Sequence, residues 1–408
     1  MYHVMHIELI IFGPIAQASL NIAKFTFFVG DNGSGKSTVA KALSTFMWME
    51  KSLVRGDYDK NYFEKSKYFK TELLNYHRLE NYFTDSSELH YEGSVYAFTY
   101  KKGRLYIDKQ EKAISEYALP QILYVPAERS FVSNVNDLSK CKLSDALLTF
   151  VQDYELARKT LLSPLEMPFN NIVVGYDESR GSVYVEDKNK TYRIDLSEAS
   201  SGIQSVAPLL VIYNALIEKI IAKKGSDMTL DELKRFSKEA AAIVSNNGLL
   251  EMQKRAAMSE LGGRFNKKVF IGVIEEPELN LYPKSQQDLL QKLVGYTNSV
   301  VGNRLVITTH SPYIIDYLTL LVEAGNLYKE LNSSSNKDKL QKKLLKIVPQ
   351  GAFIPLKELV IYQFSKGTTK KLPLVANLPT SDNKLNLALD SINEQFYKLL
   401  DIRQEMSV

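Results

Sequence analysis

Short unbroken apolar runs alternate along this 408-residue chain with longer stretches whose apolar positions recur every three to four residues. Lys24-Phe25-Thr26-Phe27-Phe28-Val29 is a run of the first kind, as expected of a β-strand covered on both faces. Past a glycine-rich loop, Val39, Ala40, Leu43, Phe46 and Met47 fall at helical spacing and predict a helix with one buried face. Val269–Ile274 and Arg304–Thr309 repeat the strand pattern, and a further apolar strand leads into Tyr124-Val125. Val206 to Ile221 reads as an apolar helix whose start lies within Ser197–Ser205. Buried strands interleaved with helices predict an α/β fold built on a central sheet.

The loop after the first strand is Gly30-Asp31-Asn32-Gly33-Ser34-Gly35-Lys36-Ser37-Thr38, the spacing GxxxxGKS between a strand and a helix. Its glycines let backbone N–H groups close around phosphate oxygens, and the helix N-terminus adds a favourable dipole. Lys36 supplies a point charge for the β- and γ-phosphates of ATP, and the Ser37 hydroxyl can ligate Mg²⁺. The loop is expected to be exposed without nucleotide. Val269–Ile274 ends in Glu275-Glu276-Pro277, two acids at one strand tip. The first can hold Mg²⁺ through its water shell, and the second can polarise the attacking water. Arg304–Thr309 delivers His310, whose imidazole can donate to a γ-phosphate, although a lone histidine is more often structural. Ser200-Ser201-Gly202-Ile203-Gln204 reads either as an ordinary helix N-cap or as a second phosphate-binding turn, used by another subunit. Pro208 lies beyond the first turn, so that helix is expected to start late or to kink.

These motifs, in this order, resemble the ABC-type ATPase class: Walker A at Gly30–Ser37, a degenerate signature at Ser200–Gln204, Walker B at Ile271–Glu276 and a switch at His310. Ser201, Gly202 and Gln204 match the signature LSGGQ, and Ile203 replaces its second glycine. Glu275-Glu276-Pro277-Glu278-Leu279-Asn280-Leu281-Tyr282-Pro283, Thr309-His310-Ser311-Pro312 and Ile11–Ile15 are similar to the cytosolic RecF, SMC and overcoming-lysogenization-defect branch. Tyr124–Ser130 occupies the Q-loop place in that order, where RecF-like proteins carry an acid. Glu128 is therefore a candidate metal or water contact, with a surface turn as the alternative. The resemblance implies an ABC-type ATPase head: a mixed central sheet with a P-loop core and a helical signature lobe. It implies an ATP-dependent head-to-tail homodimer around two ATP–Mg²⁺. It also implies regulation of a separately encoded effector, with bacterial anti-phage defence as the setting; a RecF-like DNA-repair ATPase and a transporter subunit are the rivals. About seventy residues without heptads separate Glu128 from Ser201, which excludes an SMC coiled coil, and no DxD pair follows Asp316, which argues against a Toprim nuclease.

The whole of 1–408 is expected to be a single ATPase domain with two insertions. One, 49–112, is rich in Tyr and Phe among charges and suits either a β-rich packed lobe or nucleobase stacking. The other, 223–268, looks helical and is a candidate lid or partner surface. In the basic C-terminal segment, 325–408, ten lysines between Lys329 and Lys371 face only three acids. That is either a solvated face or a DNA or RNA contact. Over the whole chain, 51 basic against 47 acidic residues leave only +4, too little to imply polyanion binding by itself. Cys141 is the single cysteine, so an intramolecular disulfide and a cysteine zinc site are excluded and a reducing compartment fits. The apolar start, Met1–Phe12, lacks a basic n-region, and no run is expected to reach the ~20 apolar residues of a membrane span. The expectation is a cytoplasmic protein without a membrane partner, which disfavours receptors, channels and secreted enzymes.

Overall fold

The computed structural model describes residues 5–65, 69, 74–110, 117–134, 142–222, 230–246, 248, 251–334, 336–375, 378–379 and 395–399. Cys141, the start of the expected helical lid and most of the C-terminal forty residues lie outside them.

Five strands run parallel along one side of an eleven-stranded mixed sheet. They are β3 (Phe25–Gly30), β7 (Pro120–Val125), β12 (Val269–Glu275), β13 (Arg304–Thr309) and β14 (Leu359–Ser365), in the spatial order β14-β3-β13-β12-β7, with β7 at the edge of the sheet. Every residue of β3, β12 and β13 is buried, which is why these strands show no polar alternation in sequence. Antiparallel strands extend the sheet: β15 (Thr368–Lys371) pairs with β14, β2 (Ile15–Ile22) with β1 (Met5–Phe12), and β4 (Phe83–Glu92), β5 (Tyr96–Lys101) and β6 (Arg104–Lys109) follow from β1. The sheet therefore divides two cores.

On one face Phe25, Phe27, Leu305, Ile307, Phe270 and Ile274 pack against helices. These include α3 (Asp145–Arg158), α4 (Ser201–Ile221), α7 (Pro283–Asn298) and α8 (Pro312–Glu330). On the other face, α1 (Lys36–Arg55) lies between the parallel strands and the aromatic segment. Phe46 of α1 stacks on Tyr91 at 5.5 Å and 9°, with Phe69 and Phe98 beside it. Phe63, Phe69 and Tyr91 are fully buried, so these rings fill a core as the packing alternative requires. The helix opened by the P-loop runs on to Arg55, past residue 49 where the insertion was expected to begin. Its Glu50 is buried, with its carboxyl pushed up by desolvation, and it accepts the N–H groups of Val95 (2.6 Å) and Tyr96 (3.2 Å) at the β4–β5 turn.

A four-stranded sheet, β8 (Leu165–Glu166) to β11 (Arg193–Asp195), packs with α3 and α4 as a lobe, where a coiled coil was excluded. Before β12 come two helices, α5 (Leu230–Ser245) and α6 (Glu251–Phe265), tethered to the end of α1 by Arg235 on Asp57 (3.2 Å). The lysine-rich segment carries one surface helix, α9 (Lys337–Leu345), yet it also supplies β14 beside the P-loop strand. The expectation of no membrane-length run needs correcting. Ser201–Ile221 is long and apolar enough by length and composition, but 67% of its window is buried inside the protein, as a core helix requires.

Candidate functional site

The parallel strands β3, β12 and β13 end at one edge, and their tips carry the P-loop, the acid pair and His310. Gly30 leaves β3 at φ 144°, and a Cβ there would sit 2.3 Å from the Phe364 carbonyl oxygen. Gly35 caps α1 at φ 99°, with the Ile15 side chain 2.2 Å from where its Cβ would be. Only glycine fits either place. Asn32 and Gly33 are exposed, Ser34 and Thr38 are buried, and Ser37 is half-buried in the first turn of α1.

Lys36 is buried, contrary to the exposed loop expected. Its ammonium folds back to donate to the carbonyls of Gly30 (2.7 Å) and Asp31 (2.8 Å), satisfying charge and backbone together. Burial pulls its pKa down to about 8, opposed by Glu276 and Asp31. Lys36 Nζ also stands 3.2 Å from His310 Nδ1, and His310 Nε2 stands 2.8 Å from Glu276 Oε1. The result is a continuous chain from ammonium through imidazole to carboxylate. His310 holds the Glu276 carboxyl below its ordinary value, against a smaller opposing desolvation, so Glu276 is ionised at neutral pH.

Two features hold this chain in place. Glu278, buried and with its carboxyl pushed up by desolvation, accepts the Thr309 hydroxyl and the His310 N–H, both at 2.7 Å. Glu276 itself adopts φ 44°, a left-handed conformation costly for a side chain of its size. Glu275, at the last position of β12, accepts the Tyr124 hydroxyl and lies 4.0 Å from Lys41 Nζ. With the Ser37 hydroxyl it offers hard oxygen donors. Among the described residues no group of three or more His, Cys, Asp or Glu forms a complete metal cage.

The other predicted residues stand apart. Glu128 is exposed, on a 3₁₀ segment (Ala127–Ser133), and makes no hydrogen bond or ion pair among the described residues. Ser201 is exposed at the first turn of α4, and Gly202 packs under the Asn280 carbonyl, 2.7 Å from where a Cβ would lie. No hydrogen bond or ion pair among the described residues joins Ser201 to Lys36, Glu276 or His310. Helix α4 starts at Ser201 and continues to Ile221, so the late start expected from Pro208 does not occur. Pro208 has no N–H for the Gln204 carbonyl, and the Ser133 hydroxyl donates to it instead, at 2.9 Å.

Sequence reasoning missed Arg129. It is fully buried, and its guanidinium donates to the carbonyls of Glu275 and Glu276, each at 2.8 Å, and of Ser205 at 3.1 Å. The proline inside α4 signals only the Gln204 carbonyl, which Ser133 takes, and no local pattern points to Arg129.

The relatives of this chain bear on the site. A curated protein, the retron Vc95 probable ATPase of Vibrio cholerae serotype O1 biovar El Tor, is 22% identical over 386 residues, covering 76% of this chain and 71% of its own. Among solved structures, the SMC head domain from Thermotoga maritima covers 92% of this chain and all of its own, at 10% identity and TM-score 0.38. A dimeric ATP-binding cassette in a post-hydrolysis state, bound to ADP and phosphate, covers 90% of this chain and all of its own, at 11% identity and TM-score 0.28. The AAA ATPase domain family matches residues 5–260 and 259–315, which include the P-loop, the α4 start, the acid pair and His310. This chain, a P-loop ATPase, belongs to that AAA ATPase domain family.

Proposed function

We propose that two copies of this ATPase pair head-to-tail around two ATP–Mg²⁺, and that the closing and opening of the pair regulate a separately encoded effector. The observation that carries this reading is the Lys36–His310–Glu276 chain at the strand tips. In it the carbonyls of Gly30 and Asp31 occupy the ammonium that ATP phosphates would take over. Ser37 and Glu275 would hold Mg²⁺, with Glu128 as a further contact, and the ion would offset the charge of the phosphates. Glu276, ionised and anchored by His310, accepts a proton from the attacking water. His310 faces the terminal phosphate and so links its presence to the base.

Ser201 and Gly202, exposed or unspent at the start of α4, meet the phosphates bound by the other copy. The likeness to a retron ATPase supports a setting in anti-phage defence, and the cytoplasm as the compartment. A second reading, a DNA-binding ATPase of RecF type, draws on Lys339, Lys342, Lys343 and Lys346, all exposed on or beside α9. It requires an ATP-strengthened and salt-sensitive DNA mobility shift.

Mixed dimers test the composite site. Lys36→Ala and Ser201→Arg should each be inactive alone. When the two are mixed at random, about a quarter of all sites combine an intact Lys36 with an intact Ser201, and activity returns to that extent. Two single variants that remain inactive together would refute sharing of the site between subunits.

A further inference from the structure

We propose that Arg129 and Ser133 are positioning residues that tie the Walker B tip to the signature helix, so that Glu276 and Ser201 of one subunit move as a unit. This rests on the composite-site reading above. The guanidinium is a three-way clasp: Nη1 on the Glu275 carbonyl (2.8 Å), Nη2 on the Glu276 carbonyl (2.8 Å) and Nε on the Ser205 carbonyl of α4 (3.1 Å). A planar fork serves three divergent acceptors, which a lysine ammonium at the end of a flexible stem does not. Four residues on, the Ser133 hydroxyl takes the Gln204 carbonyl that Pro208 leaves without a helical donor. One short segment thus grips α4 at two consecutive carbonyls, one turn after Ser201.

The other end of the clasp is a strained residue. Glu276 at φ 44° is held on one side by its N–H on the Thr308 carbonyl (2.9 Å) and on the other by Arg129. Such backbone persists only where the surroundings over-determine it. Arg129 is also costly to keep. It is fully buried, its hydrogen-bond acceptors among the described residues are carbonyl oxygens, and no carboxylate pairs with it directly. In a head-to-tail pair, Glu276 serves the site of its own Lys36 while Ser201 serves the other site. The clasp therefore runs between the two sites through a single subunit.

The experiment uses the full chain with ATP–Mg²⁺. Ser133 is half-buried, so Ser133→Ala should melt within a few degrees of wild type and keep the wild-type ATP-induced melting shift. Its turnover at saturating ATP should nevertheless fall about threefold or more, with KM for ATP unchanged. Ser133→Thr keeps the hydroxyl and should restore the rate. Arg129→Lys should lose about tenfold or more in turnover with the ATP-induced shift retained. If it does not fold, Ser133→Ala and Ser133→Thr decide. Wild-type turnover in Ser133→Ala, equal loss in Ser133→Thr, or a fall in ATP affinity that matches the fall in rate overturns the inference. An inactive Ser201→Arg beside a wild-type Ser133→Ala removes the clasp alone. A fully active Ser201→Arg removes the composite site and the clasp with it.

Discussion

The tips of β3, β12 and β13 and the start of α4 both present phosphate-binding chemistry, but they are built differently. At the strand tips Lys36, His310, Glu275 and Glu278 each already have a partner: Lys36 on its own loop, His310 on Glu276, Glu275 under Tyr124 and one oxygen of Glu278 beneath His310. At the start of α4 the Ser201 hydroxyl is exposed, and no hydrogen bond to it occurs among the described residues. Burial explains the contrast. Groups at the ends of fully buried strands must be satisfied within the chain, whereas a helix N-terminus at the surface can leave its donors to water or to an incoming anion. The first region is organised before any ligand arrives; the second is completed only from outside.

The largest expected effect breaks the first region alone. Glu276→Gln keeps the shape of the side chain but cannot take the proton from water, so turnover should fall by about 10²–10⁴ while ATP still protects the protein against heat. Steady-state hydrolysis and melting curves with ATP–Mg²⁺ check both halves. Hydrolysis within a few-fold of wild type would return the base to Glu128 or His310.

A smaller effect concerns Lys36 and pH. Its folded pKa of about 8 lies below its ordinary 10.5. Below pH 8 the folded and unfolded chains both hold the proton, and the burial cost is felt in full. Between pH 8 and 10.5 the folded chain is neutral while the unfolded chain is still charged, so the nucleotide-free protein gains stability relative to Lys36→Met over that window. ATP, which needs the cation, should bind more weakly by up to roughly tenfold per pH unit above 8. Melting curves with and without ATP–Mg²⁺ at pH 7 and pH 9.5 should diverge in these opposite directions. Parallel curves would place the Lys36 ammonium in water.

The smallest effect falls behind both regions, where the middle of α4 packs on β12. Tyr213 of α4 stands over Gly272 of β12, its hydroxyl 1.7 Å from where a Cβ on that glycine would lie, and among the described residues that hydroxyl has no hydrogen-bond partner. Tyr213→Phe removes a buried orphan and should stabilise the fold by up to about 1–3 kcal/mol, read from denaturant midpoints at constant slope. A loss of stability would mean that the hydroxyl is satisfied by water.

The first region was largely legible because its signals are local. GxxxxGKS after a strand, an acid pair after an apolar run and a histidine after another each sit within about ten consecutive residues. Burial of Lys36 was not legible, since it depends on the ammonium folding back on carbonyls that precede it in its own loop. Strand β14 was missed for a different reason. Leu359-Val360-Ile361-Tyr362-Gln363-Phe364 is a strong strand signal, but it stands amid lysines that read as a solvated segment. Arg129 lay in a stretch that also reads as a surface turn, and the carbonyls that draw it inward belong to residues about 75 and 147 positions away, a separation no local pattern encodes.

The place of β3 between β13 and β14 has a consequence for synthesis. The P-loop strand emerges early, but its two neighbours, which pair with Phe25–Val29 through Leu305–Thr309 and Leu359–Gln363, come roughly 280 and 330 residues later. At about 5–20 residues per second, this fully buried strand waits on the order of half a minute for partners. During that interval it is a naked adhesive edge, so a ribosome stalled before codon 359 releases a sticky fragment, and a chaperone that shields the first thirty residues sets the yield.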